Sequence, residues 1–185
     1  MANNSSYVSV GKPLTGGAVF MAPAGTTVPT SASGALDNAF VGMGYISEDG
    51  VTNNNERTTE NIKAWGGDIV LTPQTEKTDT FGMTFIESLN SAVLEAVYGG
   101  ANVSGDLTTE ISVKSNAQEL ERTAWVIDMV MTDGYLRRVV IPNGQVTAVA
   151  EVTYNDSTAI GYNVTITAFP DASGDTHHEY IKAQA

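Results

Sequence analysis

A chain of 185 residues, 42% of them apolar, can bury one sizeable core and requires no second one. It contains no cysteine, which excludes disulfides, thiolate metal sites and a cysteine nucleophile. With 9 Lys and Arg against 21 Asp and Glu, the net charge of −12 leaves no basic stripe for neutralising phosphate, and the only basic doublet is Arg137-Arg138.

Residues 1–15 are small and polar, with Lys12-Pro13 discouraging regular structure, and read as an N-terminal arm. They offer neither the basic nor the apolar region of a secretory signal, and no apolar run in the chain reaches the ~20 residues that span a bilayer. The run Ala18–Ala22 predicts a first strand, residues 23–38 a loop rich in Pro, Gly, Ser and Thr, and residues 39–49 a second strand. From 49 to 67 the chain turns polar and is expected to form a long loop, of the kind that is functional or serves assembly. Trp65 stands at its far end. An indole there either docks on a partner or folds back onto its own core. Asp68–Pro73 reads as a short strand.

The stretch from Thr78 to Gly100 organises the rest. Phe81, Met83 and Phe85 alternate with Thr80, Gly82 and Thr84, the period of a half-buried strand. Beyond Glu87 the period changes: Leu89, Ala92, Val93, Ala96 and Val97 form one helical stripe, with Ser88 or Asn90 as cap and Gly99-Gly100 as stop. No second helix is evident. A shorter alternation covers Thr108–Lys114. Four strands then close the chain: Arg122–Thr132, Tyr135–Ile141, Gln145–Tyr154 and Ala159–Phe169. Asp133-Gly134 and Pro142-Asn143-Gly144 supply hairpin signals between them. Residues 170–185 read as a polar C-terminal arm. The sum is a mainly β single domain over 1–185, a two-sheet β-sandwich with one flanking α-helix and a long inter-strand loop.

Catalytic signatures are missing. His177 and His178 lie in a polar tail and point opposite ways on an extended chain, so a metal site there lacks an anchored third ligand. The Asn-rich run from Asp49 to Glu56 lacks the ligand spacing of a calcium loop. There is no nucleophile elbow, phosphate loop or dinucleotide fingerprint. No enzyme and no cofactor are expected.

The order of features is an arm, two strands, a long polar loop closed by Ala64-Trp65-Gly66-Gly67-Asp68, a strand, a Glu-Ser-Leu-Asn helix ending in Tyr-Gly-Gly, and an antiparallel meander. It resembles the major tail (tail tube) proteins of long-tailed, non-contractile bacteriophages, chiefly over Ile62–Gly100 and broadly over residues 40–170. The resemblance implies a virion protein, assembled in the host bacterial cytoplasm. Six copies would form a ring, with rings stacked into a hollow tube through which DNA passes without specific binding. It implies a tape measure protein and a tail terminator as partners beside further copies of the chain, and no membrane.

On the same basis, inter-subunit contact falls to residues 49–67 and the two arms, with Asn54, Arg57, Trp65 and Asp68 as the contact residues. The acidic lumen wall of such a tube would draw on Glu48, Asp79, Glu110 and Glu151, each competing with the reading of an ordinary outer-face charge. Other classes stay open: a head–tail connector, a secretion-system tube, a β-sandwich adhesin, or a carbohydrate-binding sandwich. The last would need clustered exposed aromatics, and the loop offers Trp65 alone.

Overall fold

The computed structural model describes residues 3–183. In chain order the strands are β1 (Gly11–Pro13), β2 (Val19–Pro23), β3 (Val41–Gly42), β4 (Ile46–Thr59), β5 (Ile62–Lys63), β6 (Ile69–Leu71) and β7 (Gln74–Phe85). The helix α1 (Ser91–Tyr98) follows, then β8 (Val103–Ser104), β9 (Ser112–Val113), β10 (Thr123–Met131), β11 (Tyr135–Val149), β12 (Tyr162–Ala168) and β13 (His178–Ala183). Nine strands form one antiparallel sheet in the order β3-β2-β10-β11-β12-β7-β4, with β1 added to β10 and β13 to β11; β5-β6 and β8-β9 are separate small ribbons. The mainly β fold with a single helix is as the sequence indicates.

The two layers of the sandwich belong to this one sheet. In flat form, β10 and β7 would lie about 14 Å apart, three strand spacings. Yet Trp125 on β10 and Phe85 on β7 stack with ring centroids 6.3 Å apart. The sheet therefore curls until its own concave face meets itself, and Phe81, Met83, Ile127, Ile141, Val164 and Ile166 join the same core. α1 closes one side. The Asn90 side chain accepts from the backbone N–H of Ala92 and caps the helix, an interaction worth about 1 kcal/mol. Eight residues are too few for a helix to stand alone in water. Burial of Ala92, Val93, Leu94, Ala96 and Val97 holds it, while Leu89, at the edge of the expected stripe, lies outside the helix and exposed.

β10 is buried on both faces. Ala124, Val126 and Asp128 point away from the core and are covered by the loop of residues 23–38. Arg138 fastens that cover. Its Nε and Nη2 donate to Asp128 at 2.6 and 2.7 Å, and its Nη1 donates to the carbonyls of Ser31 and Gly34. Arg137 faces the other way and pairs with Glu179 on β13. Both members of the basic doublet are thus committed to holding the fold.

Four expectations change. The stretch 49–67 is not a loop: β4 pairs with β7 residue by residue from Val51↔Met83 to Thr58↔Glu76. It carries polar residues on both faces, so its apolar periodicity is silent. The Pro142-Asn143-Gly144 sequence makes no hairpin, because β11 runs straight through it, leaving β10 and joining β12. Gly144 serves close approach there: a Cβ would lie 2.8 Å from Trp125 Cδ1 and 3.0 Å from Ile166 Cγ2. The genuine turn is Asp133-Gly134, both at positive φ. The arms are also not free. Residues 11–13 pair with β10 and residues 178–183 with β11, while the outermost residues of each arm, 1–2 and 184–185, lie outside the described residues. Gly144→Ala is expected to cost about 1–3 kcal/mol through overpacking against the indole, read as a lower urea midpoint with unchanged slope.

Candidate functional site

Two surfaces stand out once the core is subtracted. The first is a projecting β-ribbon. β12 pairs with β7 only from Thr80 to Phe85, so beyond that point β4 and β7 have only each other. Every residue from 52 to 72 is exposed. An extended chain rises about 3.3 Å per residue, so the two-stranded ribbon from Asn55, opposite Asp79, to its tip reaches at most about 33 Å. The tip is the β5-β6 ribbon. Its turn is closed by Ala64 N–H on the carbonyl of Asp68 at 2.8 Å, and Gly66 and Gly67 supply the positive φ angles. Trp65 sits in that turn with its whole side chain in solvent (107% exposed), and Ile62, Ile69, Val70 and Leu71 are each about half exposed or more. A contiguous apolar stretch of this kind on a two-stranded ribbon has no core of its own to pack on.

Of the four residues assigned to inter-subunit contact, Arg57, Trp65 and Asp68 fall on this ribbon and Asn54 lies at its root. Asn54 lies opposite Thr80, Arg57 donates from Nη1 to Gln74 Oε1 at 3.0 Å, Trp65 forms the tip, and Asp68 closes its turn.

The second surface is the convex face of β4-β7-β12-β11. Residues Thr80, Gly82 and Thr84 of β7 alternate with the core-facing Phe81, Met83 and Phe85, and Asn163, Thr165 and Thr167 of β12 stand beside them. These side chains satisfy one another across strands. Thr147 Oγ1 meets Thr167 Oγ1 at 2.7 Å, Asn163 Nδ2 donates to Thr84 Oγ1 at 2.9 Å, and Thr52 Oγ1 donates to the carbonyl of Gly82. By the same alternation Glu56 and Glu76 share this face, nearer the ribbon, whereas Arg57 and Lys77 fall on the opposite one. The result is a hydroxyl-rich face, acidic toward one end and without cations among these paired positions.

The carboxylates expected to line a wall are not brought together. Glu48 lies in the irregular part of β4 between Ile46 and Val51, Glu110 in the loop before β9, and Glu151 in the loop after β11, all exposed. Asp79 corrects the expectation outright. It is 1% exposed, on the core side of β7. Asn53 Nδ2 donates to its Oδ1 at 2.8 Å, and the Thr176 hydroxyl and His177 Nδ1 (2.6 Å) reach its Oδ2. Lys77 stands 4.0 Å away and Phe81 meets the His177 ring edge-on. His177 is therefore part of the packing and not a solvated tail residue. Nothing local in the sequence announces this, since the partners are about a hundred positions apart. Among the described residues no group of three or more His, Asp or Glu is placed to hold a metal ion, and no helix is long and apolar enough to cross a membrane.

Burial alone would raise the Asp79 carboxyl. The hydrogen bonds from Thr176, Asn53 and His177, with the His177 charge, outweigh burial and hold its pKa below the ordinary carboxylate value. Its contribution to stability is then full above the unfolded-chain value near 4 and is lost as pH falls through the lower folded value. Asp79→Asn should cost about 2 kcal/mol at neutral pH and flatten the acid limb of a stability-versus-pH curve, read by urea denaturation from pH 7 to 2.

A curled antiparallel sheet with a self-satisfied polar face, open edges and a long apolar-tipped ribbon defines a class, that of β-structural proteins. The family model for the phage tail tube protein matches residues 1–185, and the chain belongs to that family. It is a structural component of a phage tail, not an enzyme. No curated protein matches it in sequence. Among solved structures, the tube-terminating cap of the anti-feeding prophage, determined by cryo-electron microscopy, aligns with 98% of this chain and 100% of its own, at a TM-score of 0.48 and 9% identity.

Proposed function

We propose that this chain forms closed rings, six copies to a ring, which stack into the hollow tube of a long, non-contractile tail and let DNA pass. The observation that carries the reading is the sheet β4-β7-β12-β11. β4 ends the sheet and, among the described residues, has no partner on its outer side. At the other end, β10 pairs with the side of β11 away from β12 only as far as Gly144, while β13 lies on the β12 side. Among the described residues no strand pairs with that outer edge over Gln145–Val149. Four antiparallel strands make the two edge strands run in opposite directions. Joining β4 of one copy to β11 of the next then continues the antiparallel pattern without interruption. One heterologous contact repeated by rotation closes a ring and removes both of these open edges.

In that ring the hydroxyl-rich face becomes the bore wall. Hydroxyls and amides already paired with one another, with no cation among them, give DNA phosphate no counterion-release gain from binding, so the duplex slides. The ribbon serves contact with the next ring, and Trp65, with Ile69 and Leu71, is its anchor. A tape measure protein inside the tube and a terminator at its end complete the reading.

Absence of native cysteine makes the edge contact directly testable. Cysteines placed singly at Thr52, Asn54 or Glu56 and combined with Thr147→Cys should, for at least one pair, oxidise into a ladder of covalent oligomers ending at six on denaturing electrophoresis. Monomers alone under conditions that give rings by negative stain would refute the β4-to-β11 junction. Trp65→Ala should change monomer stability by less than about 0.5 kcal/mol, as its exposure requires, yet give single rings in place of long tubes; tubes of normal length would count against the anchor.

A further inference from the structure

The open edge of β11 is not bare. Residues 115–121, between β9 and β10, run beside it without entering any strand. They leave a groove of about 320 Å³ between Gln118–Leu120 on one side and Gln145–Val149 on the other. No backbone hydrogen bond crosses that groove among the described residues. What crosses it is one side chain. Gln145, 7% exposed, donates from Nε2 to the Leu120 carbonyl at 2.6 Å and to Glu119 Oε1 at 3.0 Å, so both of its amide hydrogens are spent on the strap.

The strap is otherwise lightly held. Residues 113–119 are exposed, Leu120 alone is partly buried against the core, and the remaining ties are Lys114 N–H to the Asn102 carbonyl and Asn116 to the Asn102 side chain. It has the features of a segment that opens at low cost: few buried contacts and no backbone ladder.

We propose that residues 115–121 gate assembly: the strap shields the β11 edge in the free chain, Gln145 is its tie, and it swings aside when the outer edge of a second copy's β4 arrives. The occupant follows from the fold. β4 is the opposite open edge of the same sheet, it runs antiparallel to β11, and a strand needs ~4.8 Å of lateral space on the side of β11 where the strap now lies. The proposal rests on the tube reading above and adds a regulation to it: a free chain whose adhesive edge is partly covered resists premature edge-to-edge association.

The test uses the cysteine-free chain. Glu119→Cys with Thr147→Cys, both lining the groove, is joined by a reducible bis-maleimide, and a control carries the same two cysteines capped separately by N-ethylmaleimide. The stapled protein should stay monomeric by light scattering and negative stain, and reduction should restore rings to the level of the capped control. Gln145→Met keeps the side-chain length and removes the tie. It should shorten the assembly lag by at least roughly two- to tenfold, the factor one net hydrogen bond represents. Staples that assemble at the control rate, or a Gln145→Met lag equal to the parent's, overturn the gate while leaving the tube reading intact. A parent chain that never forms rings removes both.

Discussion

Every backbone N–H and C=O taken from water must find a partner, and a sheet that ends in open edges leaves a row of such groups to water and ready to pair with another strand. This constraint governs the chain. The curled sheet satisfies its interior by bringing Trp125 against Phe85 and by covering the back of β10 with the Arg138-fastened loop. It satisfies the edge at β2 with the two-residue β3, and spends the N- and C-terminal segments on β10 and β11. Beside the outer sides of the two-residue β3 and of β13, what remains among the described residues are β4 and the far half of β11. β4 and β11 are the edges of the one four-stranded part whose outer face carries mainly hydroxyls and amides.

The polar face and the buried carboxylate are two consequences of one alternation. Along β7, even residues present hydroxyls outward, while odd residues pass from Phe85, Met83 and Phe81 to Asp79 as the core gives out. Asp79 stands at that boundary, and its bonds to Asn53, Thr176 and His177 tie together β4, β7 and the segment leading into β13. The root of the ribbon is thereby fixed to the body. Charge on the ribbon is sorted by the same parity, with Glu56 and Glu76 on one face and Arg57 and Lys77 on the other.

Much of this is legible in the sequence where a residue's role is local. The alternation around Phe81–Phe85, the helical stripe at Ala92–Val97 and the Asp133-Gly134 turn are each set by neighbours within a few positions. The ribbon is not, because a two-stranded element solvated on both faces has no apolar period to display. Gly144 misleads for a related reason: Asn-Gly signals a turn, but here the glycine is required by an indole on the neighbouring strand. The His177–Asp79 contact joins residues nearly a hundred positions apart, and composition reads the tail as merely polar. Trp65 is the reverse case. Its place near a Gly-Gly pair left docking and self-burial open, and the structure leaves the ring wholly in solvent.

The central claim is that β4 and β11 lack partners only until other copies supply them. Amide hydrogen exchange, compared between dispersed monomer and assembled protein, addresses it strand by strand. The account predicts strong slowing at Thr52–Thr58 and Gln145–Val149 on assembly, with little change along β12, whose neighbours are already in place. Equal exchange at both edges before and after assembly would contradict it.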